Sequence, residues 1–351
     1  MSELVIKMSK LTFGDAGVKE EEGVVVNTLK EEAYHILACL YRKRKDFPAI
    51  GFNPDFLRAT FGPLLFNKLS RCDGDIREAV DLWCSDPAAA EKTYGHISQW
   101  DVSRVTNMNK LFYEKRHFDE DISAWDTSNV TKMGEIFFYA AAFNQPIGGW
   151  NVSKVTNMRF MFYGAAVFNQ HIGAWDVSAM EDMEDMFSYA ASFNQPIGGW
   201  NVSKVTNMHR VFYSAAEFNQ PIGGWDVPNV EDMAEMFGFA TSFNQPIGDW
   251  DVSNVWDTHY MFCGAAAFNQ PIGGWNTSKV KDMQYMLQYA RSFNQTIDGW
   301  NVTRVRNMEG MFWGAVSFNE SIRNWNMSSV MSTDNMYRDC PILAANKPFQ
   351  E

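Results

Sequence analysis

The chain has 351 residues, among them 13 Trp, 20 Met and 27 Phe, with 46% hydrophobic and 21% charged residues. So aromatic a chain buries enough apolar surface to offset its conformational entropy, which excludes disorder, and its length allows one large or two ordinary domains. A formal net charge of −12 argues against a broad nucleic-acid or anionic-membrane footprint, which needs a basic face.

Residues 1–25 mix Gly, charge and the run Glu20 to Glu22, and are expected to be a flexible segment. Residues 26–94 do not repeat and read as a small all-helical cap domain. Thr28 and Glu31 have capping-box spacing, and Leu29, Ala33, Ile36, Leu37 and Leu40 form an amphipathic stripe that ends in Arg42 to Lys45. Asn53-Pro54 precedes a second helical stretch to about Leu69; Asp75 to Trp83 suggests a third, and a last turn lies around Pro87 to Lys92. No apolar run approaches the roughly 20 residues of a membrane span, and the N-terminus lacks the pattern of a secretory leader. The five cysteines show neither CxxC nor regular spacing, which suits a reducing compartment. A cytoplasmic or other intracellular location is therefore expected, with the cell surface as the alternative.

From residue 95 to 345 the chain repeats ten times. Trp occurs every 25 residues from Trp100 to Trp325 without an insertion. With Trp as position 0, Met recurs at +8, Met or another aliphatic residue at +11, and Phe at +12 and +18. Ile147, Trp150 and Val152 have the alternation of a short strand, whereas Met158, Met161, Phe162 and Ala165 follow the spacing of one helix face. Pro146 and the Gly148-Gly149 pair turn the chain into the next unit. No unit can bury its apolar side alone, which is the logic of a solenoid. The last unit degenerates at Thr333, Leu343 and Lys347 and reads as a C-terminal capping repeat.

The string FNQPIGGWNVSKVTNMRFMFYGAAVFNQ (143–170) resembles the BspA-like leucine-rich repeats, including the repeat domain of mycoplasma surface lipoproteins. The resemblance implies an α/β repeat solenoid of leucine-rich-repeat type, a curved ribbon with a parallel concave sheet and short convex helices. It also implies a role in adhesion or in binding other proteins.

Catalytic chemistry is not expected. HExxH, GxSxG, phosphate-loop and GxGxxG patterns are missing from the sequence, and insertion-free units leave no loop in which to build a pocket. The six histidines (His35, His96, His117, His171, His209 and His259) are expected not to stack into one site, and no cofactor is implied. Two rows are candidate interfaces. A polar ladder at +1 (Asp101, Asp126, Asn151, Asp176, Asn201, Asp226, Asp251, Asn276, Asn301 and Asn326) is expected to line the concave strand face. An aromatic row at +13 or +14 (Tyr113, Tyr139, Tyr163, Tyr189, Tyr213, Phe239, Tyr289 and Trp313) reads either as packing between neighbouring units or as a binding stripe. Asp226, Asp249 and Asp251 form a weak calcium candidate, with oxygen ligands converging from adjacent strands. Together these features point to a protein-interaction scaffold or assembly subunit. A surface adhesin or carbohydrate-binding protein, and a purely structural subunit of a larger complex, are the alternatives.

Overall fold

A computed structural model describes residues 69–348, which lie in one compact unit. The expectations for the flexible segment, the first helical stripe, the Arg42 to Lys45 run, the second helical stretch after Asn53-Pro54 and His35 lie outside these residues.

A strand β1 (Ser70–Cys72) starts the unit, followed by helices α1 (Ile76–Ser85) and α2 (Pro87–Tyr94). The described part of the expected all-helical cap is therefore corrected to one strand and two helices, the strand extending the backbone pairing of the first repeat. Asp86 ends α1 and caps α2, its side chain accepting from the Ala89 N–H, and Pro87 occupies the first turn, where a missing N–H costs nothing. The apolar face of α1 (Ile76, Ala79, Val80 and Trp83) is buried in the same core as the first repeats. Trp83 meets Trp100 edge to face at 6.2 Å, so α1 covers the exposed end of the tryptophan row. β1 pairs in parallel with β2 (Asp101–Arg104), the only strand within the repeats among the described residues. Asp73 then receives the N–H groups of Thr106 and Asn107 and the Thr106 hydroxyl, supplying acceptors that a preceding coil would otherwise provide.

Ten coils follow, named here by their tryptophans, coil 1 at Trp100 to coil 10 at Trp325. The interior is three stacked rows of rings. In six pairs of neighbouring coils the indoles lie nearly parallel at 6.2–6.4 Å, and each indole N–H from coil 2 onward donates to the carbonyl of the Ile three residues before the preceding Trp, as Trp225 does to Ile197 at 3.1 Å. Phenylalanines at +12 and at +18 form the other two rows and stack on each other within a coil, at 3.8 Å for Phe212 and Phe218. The buried rings, with the Ile, Val and Met side chains buried between them, supply the apolar stabilisation.

The backbone between +8 and +18 is not a helix. In coil 5 the N–H groups of Met208, Arg210, Phe212 and Ser214 donate to carbonyls of the next coil, at Asp232, Ala234, Met236 and Gly238. The alternate residues Val211, Tyr213 and Ala215 donate three residues back, closing consecutive turns. Residues +10 and +14 take φ of 51° to 70° in every coil, with Arg210 and Ser214 at 54° and 56°. A positive φ at the third residue of a four-residue turn is the type II signature, and it makes an α-helix impossible there. The physical reason is hydrogen-bond accounting. A helix of two turns leaves four N–H and four C=O groups unsatisfied at its ends, whereas the turn ladder passes those groups to the neighbouring coil. The expected short convex helices are therefore corrected to a ladder of turns.

The expected strand at Ile147 to Val152 is corrected as well. Ile147–Gly149 is a single 3₁₀ turn closing onto Trp150. Parallel pairing between coils falls instead at +7, through bridges such as Asn207 to Asp232 and Asp232 to Asp257. There the side chain also closes a turn, Asn207 Oδ1 accepting from the His209 N–H.

The Asn-Gln pair that follows the +18 Phe from Phe143 to Phe293, with Asp119 and Asn319 at the ends of the series, ties the coils together. Asn219 Oδ1 accepts from the Asn244 N–H at 2.9 Å and from Gln245 Nε2 at 3.0 Å, and the pattern runs from Asp119 to Asn319. At the C-terminal end Leu343 N–H and Asn346 Nδ2 take over as donors to Asn319.

The glycine pair before Trp divides its labour. A Cβ on Gly223 would meet the Pro246 carbonyl oxygen at 2.2 Å, whereas one on Gly224 would meet nothing within 4 Å. Side chains do stand at the tight position in Ser123, Asp298 and Arg323, toward the two ends. In mid-solenoid, Gly223→Ala is expected to cost about 1–3 kcal/mol by overpacking. Gly224→Ala is expected to be neutral or to stabilise by about 0.4–1 kcal/mol. Urea unfolding of the pair checks this, and equal midpoints would contradict the close-approach reading. Among the described residues no helix is long and apolar enough to cross a membrane.

Candidate functional site

The +1 ladder lies on the surface but not on a strand. All ten residues from Asp101 to Asn326 are exposed, and only Asp101 belongs to a strand. In nine coils the side-chain oxygen accepts the N–H of the residue at +3. Asp226 is the exception because Pro228 has no N–H to give. Coil 1 combines this bond with β2, but from coil 2 onward the +1 residues belong to no strand, so the expected concave strand face is corrected there to a row of turns, closed by the side chain except at Asp226. Hydrogen bonds from Ser128, Ser178 and Ser253 hold Asp126, Asp176 and Asp251 below the usual carboxylate range. Asp226, Asp249 and Asp251 do not converge: among the described residues no group of three or more His, Cys, Asp or Glu side chains is arranged to hold a metal ion.

The aromatic row is better organised than its spacing suggested, because the true unit along it is 50 residues. Odd coils carry the ring at +13, with Tyr163, Tyr213 and Trp313, and a small residue at +14, with Gly164, Ser214 and Gly314. Coils 4 and 6 reverse the order, with Ser188-Tyr189 and Gly238-Phe239; coil 2 carries rings at both positions, Phe138 and Tyr139, coil 8 places Gln288 before Tyr289, and the two end coils depart from the alternation with Glu114 and with Arg338-Asp339. Sterics favour a small residue after such a ring. Tyr139, Phe239 and Tyr289 lie across the backbone of the next coil, where a Cβ on Gly164, Gly264 or Gly314 would meet the ring at 2.3–2.6 Å, whereas Ser214 is accommodated after Tyr189.

The result is an edge-to-face zigzag. Tyr139, Tyr163, Tyr189 and Tyr213 follow one another at 5.3 Å, and Phe239 follows Tyr213 at 5.6 Å, with interplanar angles of 64° to 82°. Coil 7 breaks the zigzag with Cys263 and Gly264, and its ring stands instead at +10. Tyr260 packs on Tyr285 at 4.7 Å, and Tyr285 leads to Trp313 and Tyr289. Cations flank the rings, with Arg210 over Tyr213 at 5.3 Å and Arg338 over Trp313 at 4.6 Å. Tyr189 and Phe239 nevertheless remain 42% and 41% exposed. Neighbouring rings thus pack on one another, as the first of the two readings expected, while part of the row stays exposed.

Beside the rings runs a charged strip. His209 and His259 both stand at +9, two coils apart, with Ala234 between them, and their ring centroids are 6.3 Å apart. That overturns the expectation that no histidines stack. Arg210 Nη2 pairs with Glu235 Oε1 at 2.8 Å, and His259 reaches Asp257 through Nδ1 at 2.7 Å and Glu235 through Nε2 at 3.5 Å. The bond to Asp257, supported by Glu235, pushes the His259 pKa up to about 10. Burial alone would raise the Glu235 carboxyl, but hydrogen bonds from His259 and Arg210 hold it below its ordinary range.

Asp185 at the end of the strip is only 3% exposed, and its Oδ1 meets no hydrogen-bond partner among the described residues. Burial pushes its pKa up to about 6. The fold therefore binds this proton more tightly than the unfolded chain does, so the associated stability is complete below about pH 4 and is lost as pH rises through about 6. Asp185→Asn is expected to abolish that slope and to raise stability at pH 7 by on the order of 1–3 kcal/mol. The His259 contribution has a separate window, complete below about pH 6.5 and lost toward pH 10. Unfolding midpoints of both chains between pH 4 and 8 test this, and parallel profiles would refute it.

Sequence comparison places residues 86–199, 168–270 and 239–348 in matches to one family, described as "Mycoplasma protein of unknown function, DUF285". No curated protein matches the chain. Among solved structures, the TLR13–ssRNA13 complex is similar at 8% identity over 78% of this chain and 50% of that one, with a TM-score of 0.23. The Toll–Spatzle complex of Drosophila is similar at 9% identity over 68% of this chain and 43% of that one, with a TM-score of 0.22. The chain spans about half the length of these proteins.

Proposed function

Because the chain belongs to the Mycoplasma DUF285 family, whose repeats fill residues 86–348, we propose that it is a non-enzymatic scaffold that binds a protein partner through its aromatic stripe. The single observation that carries this reading is the zigzag from Tyr139 to Phe239, which locks each ring against the next while leaving Tyr189 and Phe239 about two-fifths exposed. Tyrosine and tryptophan are favoured interface anchors. Rings already fixed by their neighbours lose little side-chain entropy when a partner covers them, so more of the contact energy is left for affinity. The adjoining strip of Arg210, Glu235 and His259 gives the same face a charge pattern that can select among partners.

The test is quantitative affinity capture with three forms of the full chain. One is wild type, one carries Tyr189→Ser with Phe239→Ser, and one carries Asp176→Ser with Asp251→Ser on the exposed turn row. Partners are expected to fall by about tenfold or more with the ring variant and to be retained with the turn-row variant. Retention by the ring variant, at unchanged melting temperature, would move the binding face elsewhere.

A further inference from the structure

A second row of the solenoid carries an arrangement that neither the fold nor the stripe uses. At +6 the first six coils present Thr106, Thr131, Thr156, Glu181, Thr206 and Glu231, but coils 7 to 10 present Trp256, Lys281, Arg306 and Met331. These four occupy consecutive rungs of one backbone ladder. Lys281 N–H donates to the Trp256 carbonyl at 2.9 Å, Arg306 to Lys281 at 2.9 Å, and Met331 to Arg306 at 2.7 Å. Adjacent rungs of a parallel ladder are roughly 4.8 Å apart, so the side chains stand shoulder to shoulder. Arg304 joins them from +4 of coil 9. Lys281, Thr303, Arg304, Arg306 and Ser329 line a shallow depression of about 340 Å³.

The charges in this depression are unneutralised. The chain as a whole is acidic at −12, yet none of Lys281, Arg304 and Arg306 forms an ion pair among the described residues. Thr303 gives its hydroxyl proton to Asn301, whereas the Ser329 hydroxyl has no such commitment among the described residues. Two guanidinium forks, one ammonium and one hydroxyl therefore face a common space. They offer more donors than the two oxygens of a carboxylate can accept, and they match the three oxygens and double charge of a phosphate monoester. At either end of the row stand large apolar side chains that a soluble surface normally avoids, Trp256 at 40% and Met331 at 83% exposure.

We infer that Lys281, Arg304, Arg306 and Ser329 form a binding site for a phosphate-type oxyanion, and that Trp256 and Met331 receive an apolar or aromatic group attached to it. The site is independent of the aromatic stripe, and neither stands or falls with the other.

Isothermal titration of the full chain with inorganic phosphate, phenyl phosphate and benzoate tests the assignment. Phenyl phosphate is expected to bind more tightly than inorganic phosphate, benzoate more weakly than phenyl phosphate, and all the affinities to fall with added salt. Arg304→Gln combined with Arg306→Gln is expected to weaken both phosphates by about tenfold or more; both side chains are exposed, and an unchanged melting temperature verifies the fold. Trp256→Ala is expected to remove the advantage of phenyl phosphate and leave inorganic phosphate unaffected. Absence of binding by either phosphate, or binding indifferent to the double substitution, would overturn the site. Benzoate matching phenyl phosphate would overturn the oxyanion class, and a Trp256→Ala chain that keeps the phenyl advantage would overturn the apolar flank.

Discussion

Trp225→Ala is expected to lower the unfolding free energy by about 3–5 kcal/mol, the cost of a large cavity in a core that cannot collapse around it. The indole is almost fully buried, stacks on Trp250 at 6.3 Å, touches Phe212 at 6.2 Å, and donates to the Ile197 carbonyl at 3.1 Å. Two coils are thus joined by one side chain, and removing it leaves a buried carbonyl without its donor as well as a void. In a solenoid, stability is a sum of coil and nearest-neighbour terms, so the substitution weakens the junction between the halves on either side of coil 6. A single cooperative urea transition is expected to shift and broaden or split. Trp225→Phe retains much of the burial but loses the N–H, and is expected to cost about 1–2 kcal/mol. If Trp225→Ala shifted the transition no more than Trp225→Phe, the stacked row would not be the main source of cohesion.

The second large effect concerns a polar residue. Asn219 Oδ1 accepts from the Asn244 N–H and from Gln245 Nε2, and its carbonyl accepts from Gln245 Nε2 again. Asn219→Ala orphans the Asn244 N–H in a half-buried seam and leaves Gln245 Nε2 only the backbone carbonyl, and is expected to cost about 1–3 kcal/mol. Asn219→Asp is expected to cost less than about 1 kcal/mol, because it preserves the acceptor. The chain already contains that solution in coil 1, where Asp119 Oδ1 accepts from the Asn144 N–H at 2.8 Å and from Gln145 Nε2 at 2.9 Å. Thermal melts of the two variants decide the matter, since equal losses would mean that the amide nitrogen, not the acceptor oxygen, carries the ladder.

The inventory of buried residues was legible in the sequence because burial depends on period and residue type alone. Trp225, Phe237 and Met236 recur at fixed spacing, and each is in the core. Local conformation was not legible, because +8, +11, +12 and +15 have the same spacing on a helix face as on a run of turns. The deciding feature is the positive φ at +10 and +14. Glycine would have announced it, but it stands there only at Gly164, Gly264, Gly310 and Gly314, while Arg210, Tyr260 and Phe239 adopt the same φ held by lateral hydrogen bonds. Propensity is silent where tertiary bonding overrides it.

The candidate site shows the same division. Both rows were found as repeats, yet the +1 row was placed on a strand because Val152 alternates with Asn151, a pattern equally compatible with a turn closed by Ser153. The 50-residue alternation was readable in principle from Tyr163-Gly164 against Ser188-Tyr189, and so was the shared +9 position of His209 and His259. The Asn-Gln ladder had the plainest signal of all, strict recurrence of two polar residues beside a core Phe. The Lys281–Arg306 row had none, because consecutive rungs are 25 residues apart and its members do not repeat.

The most direct test of the binding-face assignment is hydroxyl-radical footprinting of the full chain with and without its captured partner. Protection is predicted at Tyr189, Tyr213 and Phe239, with the turns around Asp176 and Asp251 unchanged. Protection of those turns with the rings still reactive would contradict the assignment.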